Sequence, residues 1–172
     1  MTLDQFNSLE LVAAADHLRQ CCVSERWIEG MLAARPFDSL EALYTAANSV
    51  WLNLDKNDYL QAFEGHPKIG DVESLRAKYA HTKALAAGEQ ASVNQADEAT
   101  LGALAEGNAE YEERFGYIFI VCATGKSAEE MLVLLKERLH NDPTYEIHVA
   151  AAEQHKITCI RLEKLFKKEI TA

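Results

Sequence analysis

The sequence predicts an all-α protein: a single-domain, compact helical bundle of about seven to nine helices with one extended segment in its core. Three observations favour this class. Apolar residues recur at helical spacing along most of the 172 residues, and N-cap and helix-stop signals separate the runs. A hydrophobic fraction of 48% provides enough apolar side chains for one core in a domain spanning residues 1–172.

Four apolar stripes predict four helices in the first third of the chain. They are Leu11, Ala14, Ala15, Leu18 and Cys22; Trp27, Ile28, Met31 and Leu32; Leu40, Leu43, Tyr44, Ala47, Val50 and Trp51; and Leu60 and Phe63. Ser24 is expected to cap the second helix, and Asp38 or Ser39 the third. The fourth is expected to follow Asn57 and to end before Gly65, at a position that favours a left-handed backbone.

The pattern is less regular between Asp71 and Gln95. Val72, Leu75 and Tyr79 suggest a helix, whereas Ala84 to Asn94 is small and polar and is predicted to be a loop or a short turn.

Three further helices are expected in the second half of the chain. The first carries Leu101, Leu104, Ala105, Asn108, Tyr111 and Phe115 and ends at Gly116. The second opens with a Ser127–Glu130 capping box. The last opens at Asp142-Pro143 and continues to about Lys168.

One run has the composition of a β-strand. It consists of Tyr117, Ile118, Phe119, Ile120, Val121, Cys122 and Ala123. No second strand is predicted to pair with it, so we interpret it as extended backbone threaded through a helical core. Its N–H and C=O groups would then be available to a ligand.

Composition limits the classes of binding partner and the cellular compartment that we expect for this protein. A formal net charge of −10 disfavours nucleic acid and anionic membranes, because both would be repelled. No window approaches the roughly 20 apolar residues of a membrane span, and Met1 to Phe6 lacks the pattern of a signal peptide. The four cysteines form no CxxC pair, which favours a cytoplasmic location.

The His66-Pro67 pair is the strongest local signal of chemistry. It follows Gly65 at the predicted end of a helix, and the proline keeps the backbone of His66 out of helical conformation. A histidine held there can point into a cavity and exchange a proton near neutral pH. Taken alone, it is more often a helix cap or an exposed turn residue.

Arg161 is the second signal. At 100° per residue, Arg161 points in nearly the same direction from the axis of the last helix as five other residues. They are Ile147, Ala150, Gln154, Ile157 and Leu165. A guanidinium in the middle of an apolar stripe needs a buried anion or a ligand anion. An ion pair with a local carboxylate, or a side chain that reaches out to water, explains the same pattern. Gln154 on this stripe is a weaker signal of the same kind.

Neither a metal nor a cofactor is predicted. His148 and His155 lie two turns apart on the last helix, but no third ligand is evident. The sequence contains no Walker, Rossmann, GxSxG or HExxH motif. Glu89 and Gln90 lie in the small-residue stretch, where a glutamate is usually solvated.

An ordered set of motifs covers nearly the whole chain. The set is Phe6-Asn7, Cys21-Cys22, Trp27, Arg35-Pro36-Phe37, Trp51, His66-Pro67-Lys68-Ile69-Gly70-Asp71, Glu89-Gln90, Tyr111, Arg114-Phe115-Gly116, Phe119, Cys122, Gly125-Lys126, Arg138-Leu139, Asn141, Glu146, Glu153, Lys156-Ile157 and Arg161-Leu162. It resembles the 2-oxo-4-hydroxy-4-carboxy-5-ureidoimidazoline (OHCU) decarboxylase family. The single motifs are weak, but their ordered combination is specific.

The resemblance implies an all-helical, cofactor-independent carboxy-lyase that forms (S)-allantoin in uric acid degradation and is a homodimer. It places the family's catalytic residues on His66, Glu89 and Arg161. It places substrate contacts on Pro67, Gln90 and the backbone of Phe119, Ile120, Val121, Cys122 and Ala123. One departure is Ala86, where members often have a serine, so a hydroxyl contact is absent there.

Two other functions remain open from the sequence. A helical binding module for an anionic ureido or purine metabolite would share Arg161 but would not need a titratable group opposite it. A hydrolase acting on a related ureido compound would differ in its products, because only decarboxylation releases CO₂.

Overall fold

Eight α-helices make up the described part of the protein. The computed structural model describes the backbone of residues 1–66 and 91–167 and the side chains of residues 1–66 and 98–166. Its helices are α1 (Leu3–Ser8), α2 (Leu11–Cys21), α3 (Glu25–Ala34), α4 (Leu40–Leu52), α5 (Lys56–Phe63), α6 (Ala91–Phe115), α7 (Ala128–Leu139) and α8 (Pro143–Lys167). These residues contain no β-strand, and the prediction of an all-α protein is confirmed.

Side-chain caps fix where the early helices begin. Ser24 accepts a hydrogen bond from the Trp27 backbone N–H at 3.4 Å, as predicted for α3. Ser39, and not Asp38, caps α4. α5 begins at Lys56 instead of after Asn57, because Asp55 forms a capping box with the third helical residue.

The short helix α1 was not predicted. Thr2 and Gln5 form a capping box at its start. Its Phe6 side chain is fully buried and meets the Phe166 ring edge-on, with 5.6 Å between the centroids. A helix of six residues is too short for apolar periodicity to reveal it.

The second half of the chain follows the predicted helices with one correction. α6 begins at Ala91, inside the stretch from Ala84 to Asn94 that was predicted to be a loop. The two overlap in four residues at the start of the helix, and the ends of helices are the part that periodicity locates least accurately. The helix ends at Gly116, whose φ of 86° is left-handed, as the sequence predicts. The helix expected over Asp71–Tyr79 lies outside the described residues.

α7 and α8 match their predictions. Ser127 and Glu130 form the expected capping box of α7. α8 opens at Pro143, a residue suited to the first turn of a helix, and continues to Lys167.

The chain divides into two compact units, with boundaries between His66 and Pro67 and between Ala150 and Ala151. Buried side chains of the first unit include Phe6, Leu18, Trp27, Ile28, Met31, Leu43, Phe63 and Leu162. In the second unit the buried cluster is Leu101, Leu104, Tyr111, Ala128, Met131 and Leu135. Among the described helices, none combines the length and the apolarity needed to cross a bilayer.

Candidate functional site

His66 lies just after the end of α5, as the sequence predicts. The backbone N–H groups of Gly65 and His66 donate to the carbonyls of Ala62 and Phe63 at 3.1 and 3.2 Å, so the chain leaves the helix through a tightened turn. The predicted left-handed conformation of Gly65 is wrong, since the described glycines with positive φ are Gly116 and Gly125.

Close packing explains the glycine instead. A Cβ atom at position 65 would lie 2.8 Å from the Cγ2 atom of Val23, which is closer than side chains tolerate. A glycine at this position lets the end of α5, and with it His66, approach the residues that follow α2.

The imidazole of His66 is half-buried and contacts α8. Its Nε2 atom lies 2.5 Å from the Oε1 atom of Gln154. The Gln154 amide is completely buried, and its Nε2 atom donates to the Thr158 hydroxyl at 3.0 Å. That hydroxyl donates in turn to the backbone carbonyl of Gln154 at 3.0 Å.

Arg161 flanks the buried stripe of α8 rather than occupying its centre. Ile147, Ala150 and Gln154 are buried as predicted. Beyond Gln154, however, the buried positions are Thr158, Leu162 and Phe166. Steps of four residues rotate the stripe by about 40° each, which leaves the half-buried Arg161 at its edge.

The guanidinium of Arg161 lacks a compensating anion among the described side chains. Its Nη1 atom donates to the Cys21 carbonyl at 3.3 Å. Burial raises the pKa of the Cys21 thiol to about 12 and that of Cys22 to about 11, although the Arg161 charge acts in the opposite direction. Both thiols are therefore neutral at pH 7 and supply no counter-charge to Arg161.

His66 and Arg161 both lie at one face of α8: His66 contacts this face through Gln154, and Arg161 belongs to it. Gln154, which holds the imidazole, is two turns before Arg161, a rise of about 10.5 Å with only about 20° of rotation. A guanidinium can provide a charge contact to an anion, and an imidazole can transfer a proton.

The segment between α6 and α7 forms neither helix nor strand and is partly buried. Ile120 and Cys122 are buried, and Phe119 and Val121 are half-buried. The expectation that its carbonyls are available is wrong in part. The Ile120 carbonyl accepts from Arg138 Nη1 at 2.7 Å, and the Cys122 carbonyl accepts from Lys126 Nζ at 2.8 Å. The backbone N–H groups of Phe119, Ile120 and Val121 donate to no acceptor within the described residues.

A buried polar cluster anchors this segment. Arg138 donates through Nε to Glu146 at 2.8 Å, and Glu146 is fully buried. The Tyr111 hydroxyl donates to the same carboxylate, and Asn141 donates to its other oxygen at 2.9 Å. The Arg138 guanidinium also lies 4.5 Å from the centroid of the Phe119 ring. Burial, followed by the hydrogen bond to Glu146, raises the pKa of Tyr111, so its hydroxyl keeps its proton.

This cluster was not assigned a role from the sequence alone. A signal was present, because Arg138 follows the buried Met131 and Leu135 at helical spacing and therefore lies on the apolar face of α7. The buried partner, Glu146, belongs to a different helix and is not indicated by that spacing.

Several predicted site residues cannot be compared with the structure. Pro67, Ala86, Glu89 and Gln90 lie outside the described residues. The suggested His148–His155 metal pair gains no third ligand, since the described side chains contain no group of three potential metal ligands. His155 is half-buried, and burial lowers its pKa.

Comparison with known proteins decides the family. A family model described as OHCU decarboxylase matches residues 7–163. The chain belongs to the OHCU decarboxylase family. The resemblance found in the ordered motifs is thereby confirmed.

Two curated relatives of this OHCU decarboxylase family member are longer proteins. It is 38% identical over 152 residues to the uric acid degradation bifunctional protein TTL of Arabidopsis thaliana, covering 88% of this chain and 47% of that protein. It is 26% identical over 175 residues to the uric acid degradation bifunctional protein of Bacillus sp. (strain TB-90), covering 98% of this chain and 33% of that protein. The chain therefore spans less than half the length of either relative.

A solved structure matches over almost its full length. It is a crystal structure of OHCU decarboxylase in the presence of (S)-allantoin, with a TM-score of 0.68 and 40% sequence identity. The match covers 88% of this chain and 98% of that one.

Proposed function

We propose that this chain is a cofactor-independent carboxy-lyase that converts 2-oxo-4-hydroxy-4-carboxy-5-ureidoimidazoline to (S)-allantoin in uric acid degradation. The observation that carries the proposal is the shared face of α8, which His66 reaches through Gln154 and on which Arg161 lies two turns further along. Membership of the OHCU decarboxylase family supports the same reaction.

The substrate can accept its own electrons. Many decarboxylases use a cofactor as the electron sink, but here a C=N bond adjoins the carbon that loses CO₂. When the bond to the carboxylate breaks, its electron pair moves towards that C=N. The hydroxyl-bearing carbon then becomes the carbonyl carbon of the product, and the neighbouring carbon takes up a proton. The protein needs to hold the anion, stabilise the charge that develops and deliver one proton.

Arg161 holds and orients the substrate. Its guanidinium presents paired N–H donors that match a carboxylate or a ureido oxygen. The neutral thiols of Cys21 and Cys22 beside it do not compete for its charge. Fixing the anion in one orientation lowers the entropic part of the barrier.

His66 acts as the acid–base group. Its imidazole protonates one face of the carbon that becomes the stereocentre, which gives the S configuration. By the family resemblance, Glu89 is a second catalytic residue, and Pro67 and Gln90 complete the substrate contacts.

The segment between α6 and α7 supplies hydrogen-bond donors. We assign substrate contacts to the backbone of Phe119, Ile120, Val121, Cys122 and Ala123. By the family resemblance, their N–H groups would stabilise the enolate-like oxygen, and Arg138 holds the Ile120 carbonyl.

An optical assay tests the reaction. Urate, urate oxidase and hydroxyisourate hydrolase generate the unstable substrate, the purified chain is added, and circular dichroism is followed together with CO₂ release. We expect rapid formation of optically active (S)-allantoin with stoichiometric CO₂. Racemic product at the spontaneous rate would reject the proposal, and a ureido product formed without CO₂ would favour a hydrolase.

A homodimeric state and a cytoplasmic location complete the proposal. The homodimer rests on the family resemblance, and the location rests on the cysteine pattern of the sequence. Sedimentation equilibrium of the purified chain should give twice its mass of 19.2 kDa, and a monomer at micromolar concentration would contradict the dimer.

A further inference from the structure

The buried amide of Gln154 is a hydrogen-bond partner of the proposed acid–base residue, His66. Gln154 is 0% exposed and Thr158 is 1% exposed, so each polar atom in this pair needs a defined hydrogen-bond partner. Three consecutive hydrogen bonds satisfy this requirement. They join His66 to Gln154, Gln154 to Thr158, and Thr158 to the backbone carbonyl of Gln154.

The bond from Thr158 to the backbone carbonyl of Gln154 decides which atom is the donor in each of the other two. The Thr158 hydroxyl donates its hydrogen to the Gln154 carbonyl, so it accepts from the Gln154 side chain through a lone pair. The atom of Gln154 that faces Thr158 is therefore the NH₂ group, and the atom that faces His66 is the carbonyl oxygen. An oxygen can only accept, and Nε2 of His66 must be the donor.

We propose that Gln154 is the positioning residue of His66: by accepting from Nε2, it fixes the ring in one orientation and in the Nε2–H form, so that the ring gains and loses its catalytic proton at Nδ1. This inference rests on the proposed acid–base role of His66. The glutamine is uncharged, so it orients the ring without strongly favouring the imidazolium, as a carboxylate at the same place would.

Ring-nitrogen NMR tests the tautomer without any turnover. Spectra of ¹⁵N-histidine-labelled protein are recorded over a pH series, and the His66 signals are identified by their loss in His66→Asn. We expect neutral His66 to be almost entirely Nε2–H in the native chain. We expect a mixture of tautomers in Thr158→Val, which lacks the hydroxyl that orients the Gln154 amide, and recovery of the Nε2–H form in Thr158→Ser. A native ring protonated at Nδ1 would overturn the proposal.

Kinetics provide the second readout. Gln154→Ala should lower kcat by about 10- to 100-fold with a smaller change in KM, because the ring loses its orientation. Gln154→Glu retains the shape but adds a negative charge next to Nε2–H. It should move the lower apparent pKa of kcat/KM upwards by about one unit. Gln20→Glu makes the same charge change at an exposed position of α2 and should leave the profile unchanged.

The results separate this inference from the proposed function. An unchanged kcat in Gln154→Ala together with an unshifted profile in Gln154→Glu would overturn the positioning role, even in an active enzyme. Absence of (S)-allantoin formation by the native chain would overturn the proposed function, while the NMR series would still decide which nitrogen Gln154 holds.

Discussion

Gly65 controls how closely His66 can approach the rest of the first unit. Its missing side chain lets the turn after α5 pack against Val23, where a Cβ atom would lie within 2.9 Å of both γ-methyl groups. Valine has little rotamer freedom, so these methyl groups cannot easily move away.

Gly65→Ala should therefore cost about 1–3 kcal/mol of stability and lower kcat, because the turn that carries His66 must shift. Adding Val23→Ala to the Gly65→Ala variant should restore part of the stability and part of kcat. Gly102→Ala is a matched control in α6, where nothing lies within 4 Å of the added methyl group; it should stabilise the protein by roughly 0.5–1 kcal/mol. Urea unfolding and the optical assay measure the two effects. A stable, fully active Gly65→Ala variant would contradict this account.

His66→Asn tests whether the chain is an enzyme or a binding module. Loss of general acid–base catalysis should lower the rate by at least ~100-fold. Asparagine is smaller than histidine, polar and uncharged, so the fold and the binding of (S)-allantoin should change little. Rate measurements and calorimetry on the same preparation separate these effects. Turnover that survives the substitution would remove His66 from the mechanism.

Arg161→Ala should weaken (S)-allantoin binding by about 10- to 100-fold, because hydrogen bonds to a charged group contribute about 1.5–3 kcal/mol each. Arg161→Lys should recover only part of the affinity, since an ammonium cannot form a paired contact. The matched control is Arg19→Ala, at a partly exposed arginine whose charge already pairs with Asp16 and Glu25. Calorimetry that gives the same affinity for native and Arg161→Ala chains would rule out the clamp.

At the scale of elements, the segment between α6 and α7 depends on a buried ion pair for its position. Arg138 and Glu146 are 7% and 0% exposed, and Arg138 also holds the Ile120 carbonyl. A pair this buried gives little net stability, but removing one partner leaves a charge without compensation.

Glu146→Gln should therefore destabilise the protein by about 3–5 kcal/mol, whereas the exposed Glu137→Gln should have almost no effect. Arg138→Met combined with Glu146→Leu should recover part of the stability, because both charges are gone while the Tyr111 hydroxyl and the Ile120 carbonyl lose these partners. It should not recover the activity, because the Ile120 carbonyl remains without its partner. Urea unfolding measures the stability of each variant, and kcat measures its activity. A double variant with native kcat would show that the Arg138–Glu146 pair is not needed for the reaction.

At the scale of the whole molecule, the net negative charge makes the capture of an anionic substrate depend on the local charges of the site. The formal net charge of −10 repels an anionic substrate at long range, so capture depends on the field near Arg161. The substrate's own C=N bond accepts the electrons released on decarboxylation, and the sequence contains no evident metal-ligand triad.

Activity should therefore be unchanged after dialysis against EDTA, measured by the optical assay with the two upstream enzymes checked separately for sensitivity to the chelator. Loss of activity that added divalent cation restores would show that a metal takes part.

The sequence by itself determined the features that depend on neighbouring residues. Caps at Ser24 and Ser127, the stop at Gly116 and the long C-terminal helix are all local signals, and each is confirmed. The family was also evident, because the order of its motifs is a property of the sequence. The short helix α1 was missed because six residues do not complete two turns.

Only the tertiary structure decided which side chains meet. Gln154 lies 88 residues from His66 in the sequence, and no spacing rule predicts their hydrogen bond. Arg161 lies at the edge of the core because the buried stripe of α8 turns gradually around the helix. A prediction that keeps the stripe in one fixed direction does not include this rotation. Gly65 is explained by the proximity of Val23 rather than by its own φ. Each of these features depends on contacts between elements distant in sequence, and those contacts are set by packing.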